Sequence, residues 1–166
     1  LRHAGAIALA RIGDAGAVTA LYNHPSKAVR IAAVVALKRM EDPGVAEFLG
    51  DSDEFVVTNA ARAINDDAFI REALPDLAQM LDQDEFMNEP LLRRAINASL
   101  YSGTPEDAKR LADFAVREGV PEAMRVEALA TLSVWDNPST LDRVTGRYRG
   151  EISRNPAVAR QAIGPV

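Results

Sequence analysis

The chain contains no cysteine, which excludes disulfides, thiolate metal sites, cysteine nucleophiles and covalent c-type haem within these residues. Histidine is nearly as scarce, with only His3 and His24, whereas metal centres and catalytic triads need clustered partners in defined geometry. Aromatics make up 5% of the residues, with one Trp. Asn-Gly and Asp-Gly turns flanked by alternating apolar residues, the strongest short-range hairpin signal, do not occur. No apolar run approaches the ~18 residues of a membrane span; the longest reaches from Ile31 to Leu37, so no membrane insertion is expected. No signal peptide is visible. The chain opens at Leu1 in mid-pattern and stops at IGPV, which reads as a fragment of a longer protein whose targeting signals can lie elsewhere. The nucleophile elbow, the P-loop and the dinucleotide-binding glycine fingerprint are missing too. No catalytic residue, cofactor or metal is therefore assigned.

What is present is helix-forming material. The chain is 48% hydrophobic, mostly Ala, Leu, Val and Ile. Ala and Leu have the highest helix propensities, and small Ala side chains let helices approach closely. An all-α fold follows. The net charge is −5 and unevenly spread. Residues 41–67 hold eight acids and one base, while residues 137–166 hold five Arg against Asp142 and Glu151. A duplex-binding surface needs a sustained basic stripe, so the acidic body argues against nucleic acid.

The sequence repeats itself. LRHAGAIAL (1–9) aligns with VRIAAVVAL (29–37), and LLRRAINASL (91–100) and AMRVEALATL (123–132) share the outline. Each has an apolar residue, Arg, small residues and a closing Leu. A weaker copy, VVTNAARAI (56–64), closes on Ile64. The closing residues Leu9, Leu37, Ile64, Leu100 and Leu132 lie 28, 27, 36 and 32 residues apart. Shorter helical patterns intervene at 15–23, 43–50, 69–81 and 105–119. Such self-similarity signals a stack of helical hairpins. The segment KAVRIAAVVALKRM (27–40) is apolar on nearly every side, as a buried helix must be. Val29, Ala32, Ala33, Ala36, Leu37 and Met40 form one stripe; Ile31, Val34 and Val35 form another. One stripe packs within its repeat and the other between repeats, so Val35→Asp should unfold neighbouring repeats as well.

This pattern resembles HEAT repeats, with LYNHPSKAVRIAAVVALKRM (21–40) closest to the family's usual form. The resemblance covers roughly residues 1–136 in about four and a half repeats. It implies a right-handed α-α superhelix of HEAT-like repeats, with 137–166 as a less regular cap of the same domain. HEAT, armadillo and bilin-lyase-type repeats are not separable here. In HEAT proteins the repeated Arg commonly pairs with an Asp of a turn, which implies a structural ladder of Arg30, Arg93 and Arg125 with Asp51, Asp53 and Asp82. An anion-binding role for these arginines is the alternative. An unpaired Arg near a packed interface is costly, which favours the ladder.

Punctuation fits the hairpins. Pro25, Pro43, Pro105, Pro121 and Pro138 sit at helix starts, Asp53, Thr104 and Asn137 are candidate caps, and Thr104 with Asp107 suggests a capping box. Pro75 falls inside 69–81 and should kink that helix or split it near Leu74. DSDEF (51–55) and DQDEF (82–86) match at four of five positions. Asp-x-Asp can offer oxygens to a hard cation, yet the EF-hand Gly and distal Glu are not in place, and acids at helix starts complement the macrodipole. Trp135 is expected to cap the last repeat, with ligand stacking the alternative.

The tail breaks the pattern. STLDRV reads as helical, Gly146 and Gly150 as turns around Tyr148, and NPAVARQAIG (155–164) as a further helix. Arg147, Tyr148 and Arg149 form a basic and aromatic group able to grip bases or phosphates or, as the charge split favours, to dock on the protein's own acidic body; they are the candidate partner-binding residues. HPSKAVRIAAVVALKRMEDPGVAEFL, NAARAINDD and EALATLSVWDNPSTLDRVTGRYRG are also similar to the repeat portion of large bacterial multidomain proteins. In those, a propeller like that of quinoprotein sugar dehydrogenases precedes the repeats and a c-type cytochrome domain often follows. That resemblance implies export and a connecting role between redox domains, with no chemistry in this segment. The expected function is a non-enzymatic scaffold for protein or interdomain contacts. The alternatives are an enzyme on a HEAT-like stack, as in helical-repeat glycosylases or bilin lyases, and nucleic-acid binding through the tail.

Overall fold

A computed structural model describes residues 2–164, with side chains described from Ala4 onward. His3 therefore lies outside the described side chains. The fold is all-helical: α1 (Arg2–Ile12), α2 (Ala15–Thr19), α3 (Lys27–Met40), α4 (Glu54–Asn65), α5 (Leu74–Gln79), α6 (Glu89–Ser102), α7 (Pro105–Val116), α8 (Glu122–Ser133) and α9 (Ala157–Ile163). Turns of 3-10 helix extend α2 over Ala20–Asn23 and form Pro43–Gly50. Among the described residues the one β interaction is an isolated antiparallel bridge between Leu141 and Tyr148. The chain divides into two compact units, 1–77 and 78–166. The residues after 136 are grouped with α6 to α8 in the second unit, and the division between the units falls within α5.

In the first unit, α3 is central. It packs against α1, α2, the 43–50 segment and α4. Ala33, Val34, Ala36 and Leu37 are buried, while Val35 is only half-buried, so the tightest part of the seam runs through Val34. The helix stops at Glu41, which takes the left-handed conformation (φ 54°). The Asp42 amide then closes back on the Leu37 carbonyl at 3.0 Å, a Schellman-type ending in which a non-Gly residue fills the glycine position. Pro43 follows at the start of the next turn, with Asp42 capping the Gly44 amide at 2.8 Å. Asp53 caps α4 through the Phe55 and Val56 amides.

The 69–81 stretch is split at Leu74, next to Pro75, as expected. Pro75 falls in the first turn of α5, where its missing N–H is harmless, and 3-10 turns flank that helix over Arg71–Ala73 and Met80–Asp82. Ahead of it Phe69 is held at φ 51°.

In the second unit, α7 packs against α6, α8 and α9, and α6 also packs against α8. Thr104 and Asp107 form a complete capping box at the start of α7. The STLDRV stretch departs from the helical expectation. Asp142 accepts the Val144 and Thr145 amides through Oδ1 at 2.9 and 2.7 Å, and this side chain-to-backbone bonding competes with helix formation. A tight hairpin results, with Asp142 N–H donating to Arg147 O and Arg149 N–H to Thr140 O, both at 2.8 Å. Gly146 and Gly150 turn it with positive φ. Asn137 accordingly lies in a turn and starts no helix.

Candidate interaction surfaces

Within each unit, ion pairs join neighbouring elements. In the first unit the three cations of α3 that face the following turn and helix each meet an acid. Arg30 holds Asp51 through Nε–Oδ2 at 2.6 Å and Nη2–Oδ1 at 3.2 Å, and its Nη1 donates to the His24 carbonyl at 2.9 Å. Lys27 pairs with Asp53 at 2.8 Å and Lys38 with Asp67 at 2.7 Å. The Lys27 hydrogen bond, with the capped amides, holds the Asp53 carboxyl below the usual carboxylate range. The acidic run at 41–67 is thereby partly neutralised by the helix it stacks upon.

The remaining ladder residues have other partners. Arg93 contacts Glu89 at 2.6 Å and Glu127 at 3.8 Å. Arg125 donates to the Ala115 carbonyl at 2.7 Å, tying α8 to the end of α7. Asp82 receives Arg110 at 2.9 Å. Spacing alone conveyed that these arginines point into interhelical seams, but not which acceptor each seam supplies. The DQDEF stretch differs from DSDEF: Asp82 and Asp84 face Arg110 and Arg117, while Asn88 caps the helix that follows. Among the described residues no group of three or more His, Asp or Glu is arranged to hold a metal ion.

The three tail candidates do not all face outward. Tyr148 is 70% exposed and stands beside Leu141, its bridge partner, which is also exposed. Arg147 is exposed, whereas the Arg149 side chain is tucked inward and reaches Asp142 at 3.2 Å. The step from Tyr148 to Arg149 turns the side chain from the outer to the inner side of the hairpin.

Two organising residues of this tail were not visible in the sequence. The first is Asp142, whose carboxylate is fully buried. Burial raises its pKa, but the Thr145 and Val144 amides and the Asn97 side chain (3.0 Å) outweigh that and hold it below the usual range. The second is Arg154. It donates to the Leu100 carbonyl at 2.5 Å, near the C-terminal end of α6, and to the Trp135 carbonyl at 3.3 Å. Its guanidinium lies 5.0 Å from the Trp135 ring. Trp135 is completely buried beneath it, which removes that indole as a stacking platform for a ligand. Burial lowers the Arg154 pKa, against the opposing pull of Asp107 and Tyr101. A basic residue at a helix C-terminus satisfies orphan carbonyls and complements the dipole.

Among the described residues the first unit carries a polar cleft and an apolar groove. The cleft, of about 330 Å³, is lined by Tyr22, His24, Arg30, Glu47, Asp51 and Ser52 among others. Its polar groups are largely engaged in shaping the chain: Arg30 as above, and His24 Nδ1 by accepting the Ser26 amide at 3.0 Å. The other is an apolar groove of about 490 Å³ between α1 and α3, lined by Gly5, Ala8, Leu9 and Ile12 facing Ala28, Val29 and Ala32. Gly5, Ala8, Ile12 and Ala28 are exposed there.

No family model, curated protein or solved structure matches this chain.

Proposed function

We propose that the chain is a HEAT-like helical-repeat scaffold, a non-enzymatic module for protein–protein or interdomain contacts. One observation carries the reading: repeat register and burial register coincide. Ala33, Val34, Ala36 and Leu37 of α3 are each at most 1% exposed, and so are Ala60, Ala61, Ala63 and Ile64, the residues one repeat later in α4. In the second unit Leu92, Ile96, Ser99 and Leu100 correspond with Met124, Ala128, Thr131 and Leu132, all at most 3% exposed. Repeats of this kind derive stability from neighbour contacts and offer extended surfaces for binding. The ionisable groups support the same reading, since the buried ones are spent on helix ends and seams. In the setting of the narrower resemblance, such a module would position flanking redox domains.

The test is cross-linking in cells that express the protein, followed by mass spectrometry of the linked peptides, alongside turnover assays on the pure chain. The expected result is a reproducible protein partner linked to defined faces and no turnover. Failure to link any protein, or a turnover abolished by a single surface substitution, contradicts the scaffold reading.

A further inference from the structure

The last stretch of the second unit is fastened at few points. Residues 149–155 run without regular secondary structure towards α9. That helix is seven residues long, too short to persist without packing. It packs against α7, yet among residues 150–163 Ala159 alone is buried, and Ile163 is 57% exposed. Arg154 is the firm anchor. Its backbone N–H donates to the Asp136 carbonyl at 2.9 Å. Its guanidinium donates to the Leu100 and Trp135 carbonyls and lies over the Trp135 ring.

The surface under Arg154 has the opposite character. Trp135 and Leu100 are at most 1% exposed. The buried Trp135 indole N–H has no hydrogen-bond partner. An unpaired buried donor disfavours the closed arrangement, and the penalty is relieved once water reaches it. Gly150 stands at φ 92° at the head of the stretch, with nothing within 4 Å of where a Cβ would sit. Its backbone is free to pivot.

We propose that residues 150–163 are a strap with one latch, Arg154, which swings off the second unit while α6 to α8 stay folded, and that its opening uncovers Trp135. Segments with little buried apolar surface open locally well before the global transition, whereas the core under the strap does not. Trp is enriched among the residues that anchor interfaces, so the strap decides whether the chain's one Trp is available. The device stands whether or not the scaffold reading holds.

The test is native-state hydrogen exchange on the full chain, followed by NMR, comparing the Trp135 indole N–H and the Arg154 and Arg160 amides with the Leu92–Ala98 amides of α6. In wild type the indole and the two strap amides should exchange together, about tenfold or more faster than the slowest α6 amides. Arg154→Ala should speed the indole and the strap by about a further tenfold, the worth of a hydrogen bond to a charged group, and leave α6 exchange and far-ultraviolet circular dichroism as in wild type. Acrylamide quenching of the single Trp should rise in the same variant. An indole that exchanges only as slowly as the α6 amides overturns the strap, because Trp135 is then uncovered by global unfolding alone. So does an Arg154→Ala chain in which α6 and the indole accelerate equally. The wild-type comparison decides the matter by itself if that variant does not fold.

Discussion

Arg30 and Asp51 form a forked, nearly buried ion pair that fastens α3 to the turn preceding α4. A third guanidinium nitrogen binds the His24 carbonyl at 2.9 Å, so one side chain joins the segment before its own helix to the segment before α4. Removing one member of such a pair leaves an uncompensated charge. Asp51→Ala and Arg30→Ala should each cost about 3 kcal/mol in urea unfolding, and the double variant less than their sum. Arg30→Lys should restore little, because an ammonium cannot reproduce the fork. Additive single losses under about 0.5 kcal/mol would mark the pair as incidental.

Asp142 predicts an acid-sensitive tail. Its folded pKa is lowered relative to the free side chain, so its contribution to stability is fully present above the unfolded value, about 4, and is lost as pH falls through the lower folded value. Wild type should therefore lose stability as pH falls below about 4 more steeply than Asp142→Asn. Chemical denaturation at stepped pH measures this. Parallel curves for the two proteins would contradict it.

Gly103 has two reasons to be glycine. It ends α6 at φ 74°, and a Cβ there would sit 2.6 Å from Arg154 Nη2. The conformational term alone is worth about 1–2 kcal/mol. Gly103→Ala should exceed it by displacing Arg154 from the Leu100 carbonyl. Limited proteolysis should then cut faster within residues 150–164, as it should in Arg154→Ala. An unchanged cleavage rate in both variants would show that the tail is held by other contacts.

Glu41 is the opposite case, a residue with a Cβ in a left-handed position. Glu41→Gly should stabilise the first unit by up to about 1 kcal/mol, read as a raised unfolding midpoint. A lowered midpoint would mean that the Glu41 side chain contributes more than its backbone costs.

The legible parts of this fold were those set by periodicity and caps. The α3 seam, the Asp53 cap and the Thr104–Asp107 box follow from spacing and side-chain chemistry within a few residues. The misread parts depended on partners far along the chain. Asp142 turns STLDRV into a hairpin because Asn97 and Arg149 wait for its carboxylate. Arg125 faces a backbone carbonyl, which no residue type announces. Ala8 and Ala36 look alike in sequence, and only their surroundings make one exposed and the other buried. Val35, expected in the seam, stands at its edge, with Val34 inside.

The central claim is that neighbouring helical hairpins share one seam, and amide hydrogen exchange on Leu37→Ala tests it most directly. Leu37 is fully buried on α3, and the truncation should cost about 2–5 kcal/mol. If the seam is shared, protection should fall together in α1, α3 and α4. Loss of protection confined to α3, with Val56–Ile64 exchanging as in the wild type, would contradict the account.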